Sequence, residues 1–153
     1  MNIINGSDEN GLKTDQERVL SEFYFAFNNQ RLDLMKENWS AEGEPIMSNP
    51  LGGIKSGWLE IEQVYKNIFN GPADVFVEFY DYQIHSTENM FCAAGRERGY
   101  FKTAAITIEL SIRTSRVYQV INGVWRQLHH HGSIDQPELL EQYQSALKKN
   151  RSS

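Results

Sequence analysis

The sequence has few of the features that mark secreted, metal-binding or membrane proteins. Its 153 residues contain one cysteine, Cys92, which excludes an intramolecular disulfide and a CxxC zinc or redox site. No apolar run approaches the roughly 20 residues that a membrane-spanning helix needs. The first residues lack the basic start and apolar centre of a signal peptide. We therefore expect a cytoplasmic protein that does not contact a membrane.

Positive charge is also scarce. Fifteen Lys and Arg residues stand against 20 Asp and Glu residues, and this net charge of -5 argues against binding to nucleic acid. The length fits one domain, and 40% hydrophobic residues is close to the globular average. Residues 1–13 are polar and aperiodic, so we predict a flexible tail followed by a single domain over residues 14–150.

Helical periodicity recurs in four segments. Thr14 and Glu17 have the spacing of a capping box, and an apolar stripe follows them. The stretch from 42 to 57 is rich in Pro, Gly and Ser, which predicts turns. The predicted helices cover residues 15–28, 32–39, 58–69 and the segment that follows Pro137.

From Asp74 onward the apolar period becomes two, which is typical of strands. The alternation is clearest in the third strand, where Ile106, Ile108, Leu110 and Ile112 share one face. An Asn-Gly pair at 122–123 predicts a two-residue hairpin between the last two strands. The predicted strands begin at Val75, Met90, Ala105 and Gly123. Helices followed by a long antiparallel meander indicate an α+β fold with helices on one side of a curved sheet.

Several strings, in this order and spacing, resemble the NTF2-like superfamily over residues 14–135. They are Tyr24 to Asn29, Leu32-Asp33, Pro50 to Gly53, Ser56-Gly57, Val117-Tyr118, Asn122 to Trp125 and His129 to Ser133. The last string is similar to the end of the association domain of calcium/calmodulin-dependent kinase II. The resemblance implies a cone, in which a curved antiparallel sheet wraps around the N-terminal helices, and a pocket inside it.

Ketosteroid isomerase and the SnoaL-type cyclases share this fold, so an enzyme is one reading. Alignment with the isomerase puts Phe23 where its tyrosine belongs and Asn49 where its aspartate base belongs. Phenylalanine cannot donate a hydrogen bond, and asparagine carries no titratable carboxylate. The resemblance therefore does not extend to that mechanism.

Two arginines and a histidine are the main candidates for a site in the cone. Strand parity aims Arg116 and His130 inward, and the alignment with the association domain places Arg96 and Arg116 at pocket arginines. The third arginine of that pattern is replaced here by Gly132. Two inward arginines suit a carboxylate or other small anion. The alternative is an internal salt bridge, for which Glu97 is among the available carboxylates.

Aromatic residues on core-facing stripes complete the predicted ligand site. They are Tyr24, Trp39, Trp58, Tyr65 and Tyr118. A metal site would need more ligands than the histidines at 129–131 supply, so we expect neither a metal nor a cofactor. Trp125, His129 and His131 share a parity on the outer face, which predicts a homodimer formed through the sheet.

Three functions follow from these patterns. The first is a protein that binds a small, anionic organic molecule in the cone. The second is a SnoaL-like or isomerase-like enzyme, with His130 as base and Arg96 and Arg116 as clamps. The third is an oligomerisation module with a vestigial pocket.

Overall fold

The computed structural model describes residues 2–7 and 11–152, with side chains described as far as Asn150. Within these residues, four helices and a seven-stranded sheet form an α+β fold whose sheet is curved but not closed. The helices are α1 (Asp15–Asn28), α2 (Leu32–Asn38), α3 (Trp58–Phe69) and α4 (Pro137–Ser152). The strands are β1 (Ile3–Ile4), β2 (Ile46–Ser48), β3 (Lys55–Ser56), β4 (Asp74–Ser86), β5 (Met90–Lys102), β6 (Thr107–Ile121) and β7 (Val124–Ser133).

The predicted capping box begins α1. The Glu17 amide donates to the Thr14 hydroxyl at 3.1 Å, and the Glu17 carboxylate accepts from the Lys13 amide at 3.2 Å. One orphan donor of the first turn, the Glu17 amide, and the Lys13 amide just before the cap are thereby satisfied. The apolar stripe of α1 then packs inside the sheet, with Leu20, Phe23 and Tyr24 almost completely buried.

The sheet has the order β1-β4-β5-β6-β7-β2-β3, and its long strands pair antiparallel. The predicted hairpin joins β6 to β7, with Asn122 and Gly123 both at positive φ as a two-residue turn requires. Only β2 runs parallel to its neighbour β7 among the described pairs. This pairing holds the segment before α3 at one edge of the sheet.

Two irregularities bend the sheet and set which side chains point inward. The register of β4 shifts between Tyr80 and Gln83, where Asp81 has a φ of 50°. Opposite this shift lies Gly95, at which a Cβ would be 2.6 Å from the Cβ of Tyr82. A second shift lies between Val117 and Tyr118 in the pairing of β6 with β7. Such bulges increase local bending and change the parity of the residues beyond them.

The expected loose tail is wrong at Ile3–Ile4. These residues form β1 and pair with Phe79 and Tyr80, and Ile4 is completely buried. The side-chain amide of Asn28 also donates to the Asn5 carbonyl at 3.1 Å. The rest of the predicted tail includes Met1 and residues 8–10, which lie outside the described residues.

Candidate functional site

A buried polar cluster lies inside the cone, on the three central strands. It is formed by Glu97 of β5, Arg116 of β6 and His130 of β7, which are 4%, 2% and 6% exposed. Arg116 and His130 are direct partners across the β6–β7 ladder, so their side chains leave the same face of the sheet. Strand parity therefore predicted the inward orientation of both residues correctly.

Arg116 makes an internal salt bridge. One Nη atom donates to Glu97 Oε2 at 3.1 Å, and the other donates to Gln127 Oε1 at 2.9 Å. The guanidinium also lies 3.7 Å from the centre of the Phe23 ring, a cation–π contact. The sequence left two roles open for Arg116: to bind a ligand anion or to form an internal salt bridge. The geometry favours the second, because Glu97 lies within reach.

Glu97 receives two further hydrogen bonds. The Tyr24 hydroxyl donates to Oε2 at 2.5 Å, and the Thr114 hydroxyl lies 3.2 Å from Oε1. Burial and the Glu97 charge hold the pKa of the Tyr24 phenol well above its usual value, so the phenol keeps its proton. Both carboxylate oxygens are thus hydrogen-bonded, as a charge in a dry interior requires.

His130 is the one member of the cluster with an unused polar atom. Its Nε2 lies 3.0 Å from the Thr114 hydroxyl, and its Nδ1 has no hydrogen-bond partner among the described residues. Burial holds the pKa of the ring well below its usual value, and the charges of Arg116, His129 and His131 lower it further. The imidazole is therefore neutral near pH 7.

A cavity of about 60 Å³ lies against these three residues. Its wall also includes Phe23, Asn49, Leu51, Tyr65 and Tyr143. A single water needs only about 10–15 Å³ of such space, so the cavity has room for a few waters or one small molecule. Phe23 and Asn49 occupy the positions that aligned with the isomerase's tyrosine and base. They line the cavity here without supplying a proton donor or a carboxylate.

The expectation that Arg96 points into the cone is wrong. On β5 the odd-numbered residues Phe91, Ala93 and Glu97 face the core, which leaves Arg96 on the outer surface with a 57% exposed side chain. Its Nε lies 3.4 Å from the Asp81 carboxylate. The residue next to it, Glu97, points inward instead. The site therefore contains a carboxylate where a second positive charge was expected.

The predicted aromatic residues are divided between the cavity and the core. Tyr65 lines the cavity, and its hydroxyl accepts from Trp39 Nε1 at 3.1 Å. Trp39 itself is buried in the core behind it. Tyr24 is not part of the cavity wall, but its hydroxyl donates to Glu97 and accepts from Arg116 Nε at 3.4 Å.

Tyr118 and Trp58 do not line the cavity. Tyr118 is buried and donates to Asn38 Oδ1 at 2.8 Å, and the same oxygen accepts from Gln127 Nε2 at 3.1 Å. Trp58 is half-buried at the start of α3 and packs against the core. Tyr118 thus belongs to a polar chain that supports Arg116 from behind, through Gln127.

Trp125 was assigned to the wrong face. It meets the buried Phe91 ring at 5.0 Å on the core side, whereas His129 and His131 lie on the other side of β7. The register shift in β7 separates them, because Tyr118 pairs with Gln127 while Val117 pairs with His129. The same shift turns Gln127 inward, and simple alternation from His130 did not identify it.

The outer histidines, His129 and His131, lie apart from other possible metal ligands in the described part of the chain. His129 Nδ1 donates to the Ile46 carbonyl at 2.8 Å, and the rings of His129 and His131 are 6.4 Å apart. Among the described residues, no group of three or more His, Cys, Asp or Glu side chains could hold a metal ion.

The described helices also include none long and apolar enough to cross a bilayer.

His130 should make the protein sensitive to mild acid. Below the ordinary value of 6.5, the unfolded chain takes up a proton that the buried ring of the native state refuses. Stability should therefore fall by up to about 1.4 kcal/mol per pH unit as the pH drops below 6.5, until the lower native pKa is reached. Urea unfolding at pH 7 and pH 5.5 measures this loss.

His130→Phe should remove that part of the pH dependence. The exposed His85 offers a matched control, because His85→Phe should leave the loss unchanged. An equal loss of stability in wild type and in His130→Phe would contradict a buried, neutral ring.

Comparisons with known proteins agree with this architecture. Residues 17–137, more than half of the chain, match the model of the SnoaL-like domain family. No curated protein sequence matches the chain. The association domain of CaMKII from C. elegans is similar in structure, with a TM-score of 0.65 and 21% identity over 78% of this chain and 93% of that one.

Two bacterial structures are also similar. An NTF2-like protein of unknown function from Shewanella oneidensis has a TM-score of 0.66 and 18% identity, over 78% of this chain and 97% of its own. A protein with a cystatin-like fold from Caulobacter vibrioides has a TM-score of 0.65 and 18% identity, over 87% of this chain and 95% of its own. At these identities the structures establish a shared fold. Because the family match runs from α1 to the first residue of α4, the chain belongs to the SnoaL-like domain family, and it shares its fold with the NTF2-like structures.

Proposed function

We propose that this protein binds a small, polar and electrically neutral organic molecule in the cone, hydrogen-bonded to His130. The observation that carries the proposal is the Nδ1 atom of His130, which is buried beside a cavity and has no partner among the described residues. An unsatisfied buried polar atom costs about 1–3 kcal/mol. A ligand that supplies a hydrogen bond there recovers that cost.

Charge argues for a neutral molecule over the carboxylate expected from the sequence. Arg116 already pairs with Glu97, so the two buried charges beside the cavity cancel. An entering anion would lose its hydration and meet the Glu97 carboxylate at close range without a free cation to compensate. Arg96 cannot help, because it lies on the outer face of the sheet.

Size limits the ligand further. The cavity of about 60 Å³ is well below the roughly 300–1,000 Å³ of pockets for drug-sized ligands. The occupant therefore has few non-hydrogen atoms, or enters with displacement of the wall. The segment 49–51 is the part of the wall that belongs to a loop rather than to a long strand or helix.

A thermal-shift comparison of acetamide and acetate tests the proposal, because the two probes match in size and differ in charge. Acetamide at tens of millimolar should raise the melting temperature, while acetate at matched ionic strength should not. His130→Phe should abolish the acetamide effect, and His85→Phe should retain it. A rise with acetate alone would instead favour the anionic ligand.

Acid–base catalysis is a second candidate, favoured by the neutral state of His130. A general base must be unprotonated at working pH, and the lowered pKa of this buried ring meets that condition. The arginine clamps of the original hypothesis do not support it, since Arg116 is paired and Arg96 points outward. Deuterium uptake at the α-carbon of glycolaldehyde in heavy water, faster with wild type than with His130→Phe, would support the enzyme. Equal rates of uptake with wild type and His130→Phe would count against the enzyme. The remaining candidates would then be a binding protein or an oligomerisation module with a vestigial pocket.

We also propose a homodimer formed through the outer face of the sheet. Trp125 no longer supports it, but Phe76 and Tyr100 stack at 5.7 Å on that face, and Tyr80 lies beneath the Arg98 guanidinium. These aromatic rings are only half-buried in the single chain. Light scattering should give the mass of two chains, and Tyr100→Glu should give that of one. Ile54→Glu, in an exposed loop, should not dissociate the dimer; a wild-type monomer at all concentrations would refute it.

A further inference from the structure

The Thr114 hydroxyl lies between a carboxylate and the histidine of the site. Its Oγ1 is 3.2 Å from Glu97 Oε1 and 3.0 Å from His130 Nε2, and the residue is buried. A threonine hydroxyl has one proton to give and can accept hydrogen bonds at the same time. It can therefore donate to only one of its two neighbours, and that choice fixes the protonation pattern of the imidazole.

The hydrogen bonds at Glu97 decide in which direction the Thr114 proton points. Oε2 accepts from Arg116 and from Tyr24. Oε1 has Thr114 as its hydrogen-bonding neighbour among the described residues. If Thr114 donated to His130, a buried anionic oxygen would be left without a donor. Because Nδ1 of His130 stays unpaired in either case, this lost hydrogen bond to a charged group decides the direction.

The tautomer of His130 follows from this arrangement. With its proton on Glu97, the Thr114 oxygen can only accept from the ring, so Nε2 must carry the hydrogen. A neutral imidazole has one N–H, and Nδ1 is then left with a bare lone pair.

We infer that Glu97, acting through Thr114, fixes His130 as the Nε2–H tautomer and so makes Nδ1 an obligatory hydrogen-bond acceptor. This inference rests on the proposed function for its ligand, because Nδ1 is the ring atom without a partner on a residue that lines the cavity. It narrows the ligand class to molecules that present an O–H or N–H group. Molecules of the same size that only accept hydrogen bonds are rejected. Thr114 is a positioning residue, which acts on the ligand through the ring.

The tautomer can be observed in the free protein. Long-range ¹H–¹⁵N spectra of protein labelled at histidine distinguish a protonated from a bare ring nitrogen, and the chain has only four histidines. The His130 signals are those lost in His130→Phe. Wild type and Thr114→Ser should both show the Nε2–H form in about tenfold excess or more, as one retained hydrogen bond to a charged group implies. An Nδ1–H form, or an even mixture, in wild type overturns the inference.

Substitution of Thr114 tests the relay itself. Thr114→Val keeps the shape of the side chain and removes the hydroxyl, so the Nε2–H excess should fall severalfold, and Thr114→Ser should restore it. An unchanged tautomer in a folded Thr114→Val protein overturns the role of Thr114. If the valine variant does not fold, the wild-type and serine spectra still decide the tautomer.

Ligand selection is tested with acetamide and acetone, which have equal numbers of non-hydrogen atoms and differ in the N–H donor. Acetamide should raise the melting temperature of wild type and acetone should not. Equal effects of the two probes overturn the selection of donors. Failure of both probes in a protein with the Nε2–H tautomer counts against the proposed binding function and supports the relay alone, so the two ideas fail separately.

Discussion

Arg116→Met should destabilise the protein by about 3 kcal/mol or more, because it leaves Glu97 as an unpaired charge in the interior. The arginine is 2% exposed and its salt bridge with Glu97 is 3.1 Å long. The substitution also leaves Gln127 without the guanidinium that it accepts from. The free energy of unfolding in urea at pH 7 measures the loss.

The double variant Arg116→Met with Glu97→Gln separates a lost charge pair from lost packing. It should be more stable than Arg116→Met alone, since no uncompensated charge remains. Arg96→Met serves as the matched control, because its exposed pair with Asp81 contributes at most about 1 kcal/mol. A nearly neutral Arg116→Met would instead mean that this charge is free to receive an anion.

Ile4→Ala should cost about 2–5 kcal/mol, the range for removal of a large aliphatic side chain from a core. Ile4 is completely buried and pairs with Phe79 at the edge of the sheet. The segment that carries it is held closely. A Cβ on Gly6, which has a φ of +94°, would lie 2.5 Å from the backbone of Phe25 in α1.

Ile54→Ala is the control for this experiment, since Ile54 is 69% exposed and the same chemical change there should stay within about 0.5 kcal/mol. Thermal or urea unfolding of both variants gives the comparison. Equal, small effects of the two substitutions would show that β1 adds nothing to stability and that a flexible tail describes the start of the chain.

The sequence determined the elements whose signals are local. The capping pair at Thr14 and Glu17 set the start of α1, because both hydrogen bonds form within one turn. Asn122-Gly123 set the β6–β7 hairpin, because a two-residue turn needs positive φ at both positions. Neither signal depends on any distant part of the chain.

The strand β1 shows what a local signal cannot supply. Two isoleucines in a polar segment have no periodicity to read, and a two-residue strand has no stability of its own. The edge of β4 and the surface of α1 make it favourable by burying Ile4, and these lie more than 10 residues away in the chain.

The candidate site was predictable only in part, for the same reason. Alternation along regular strands placed Arg116 and His130 inside the cone, since side chains on successive residues point to opposite faces. The tertiary structure decided the rest. A register shift in β7 turned Gln127 and Trp125 inward, and the pairing of β5 with β6 brought Glu97 within 3.1 Å of Arg116. Parity gives the face of a residue only along a regular stretch of strand, whereas the bulges that change it and the partners that set charge and protonation depend on neighbouring strands.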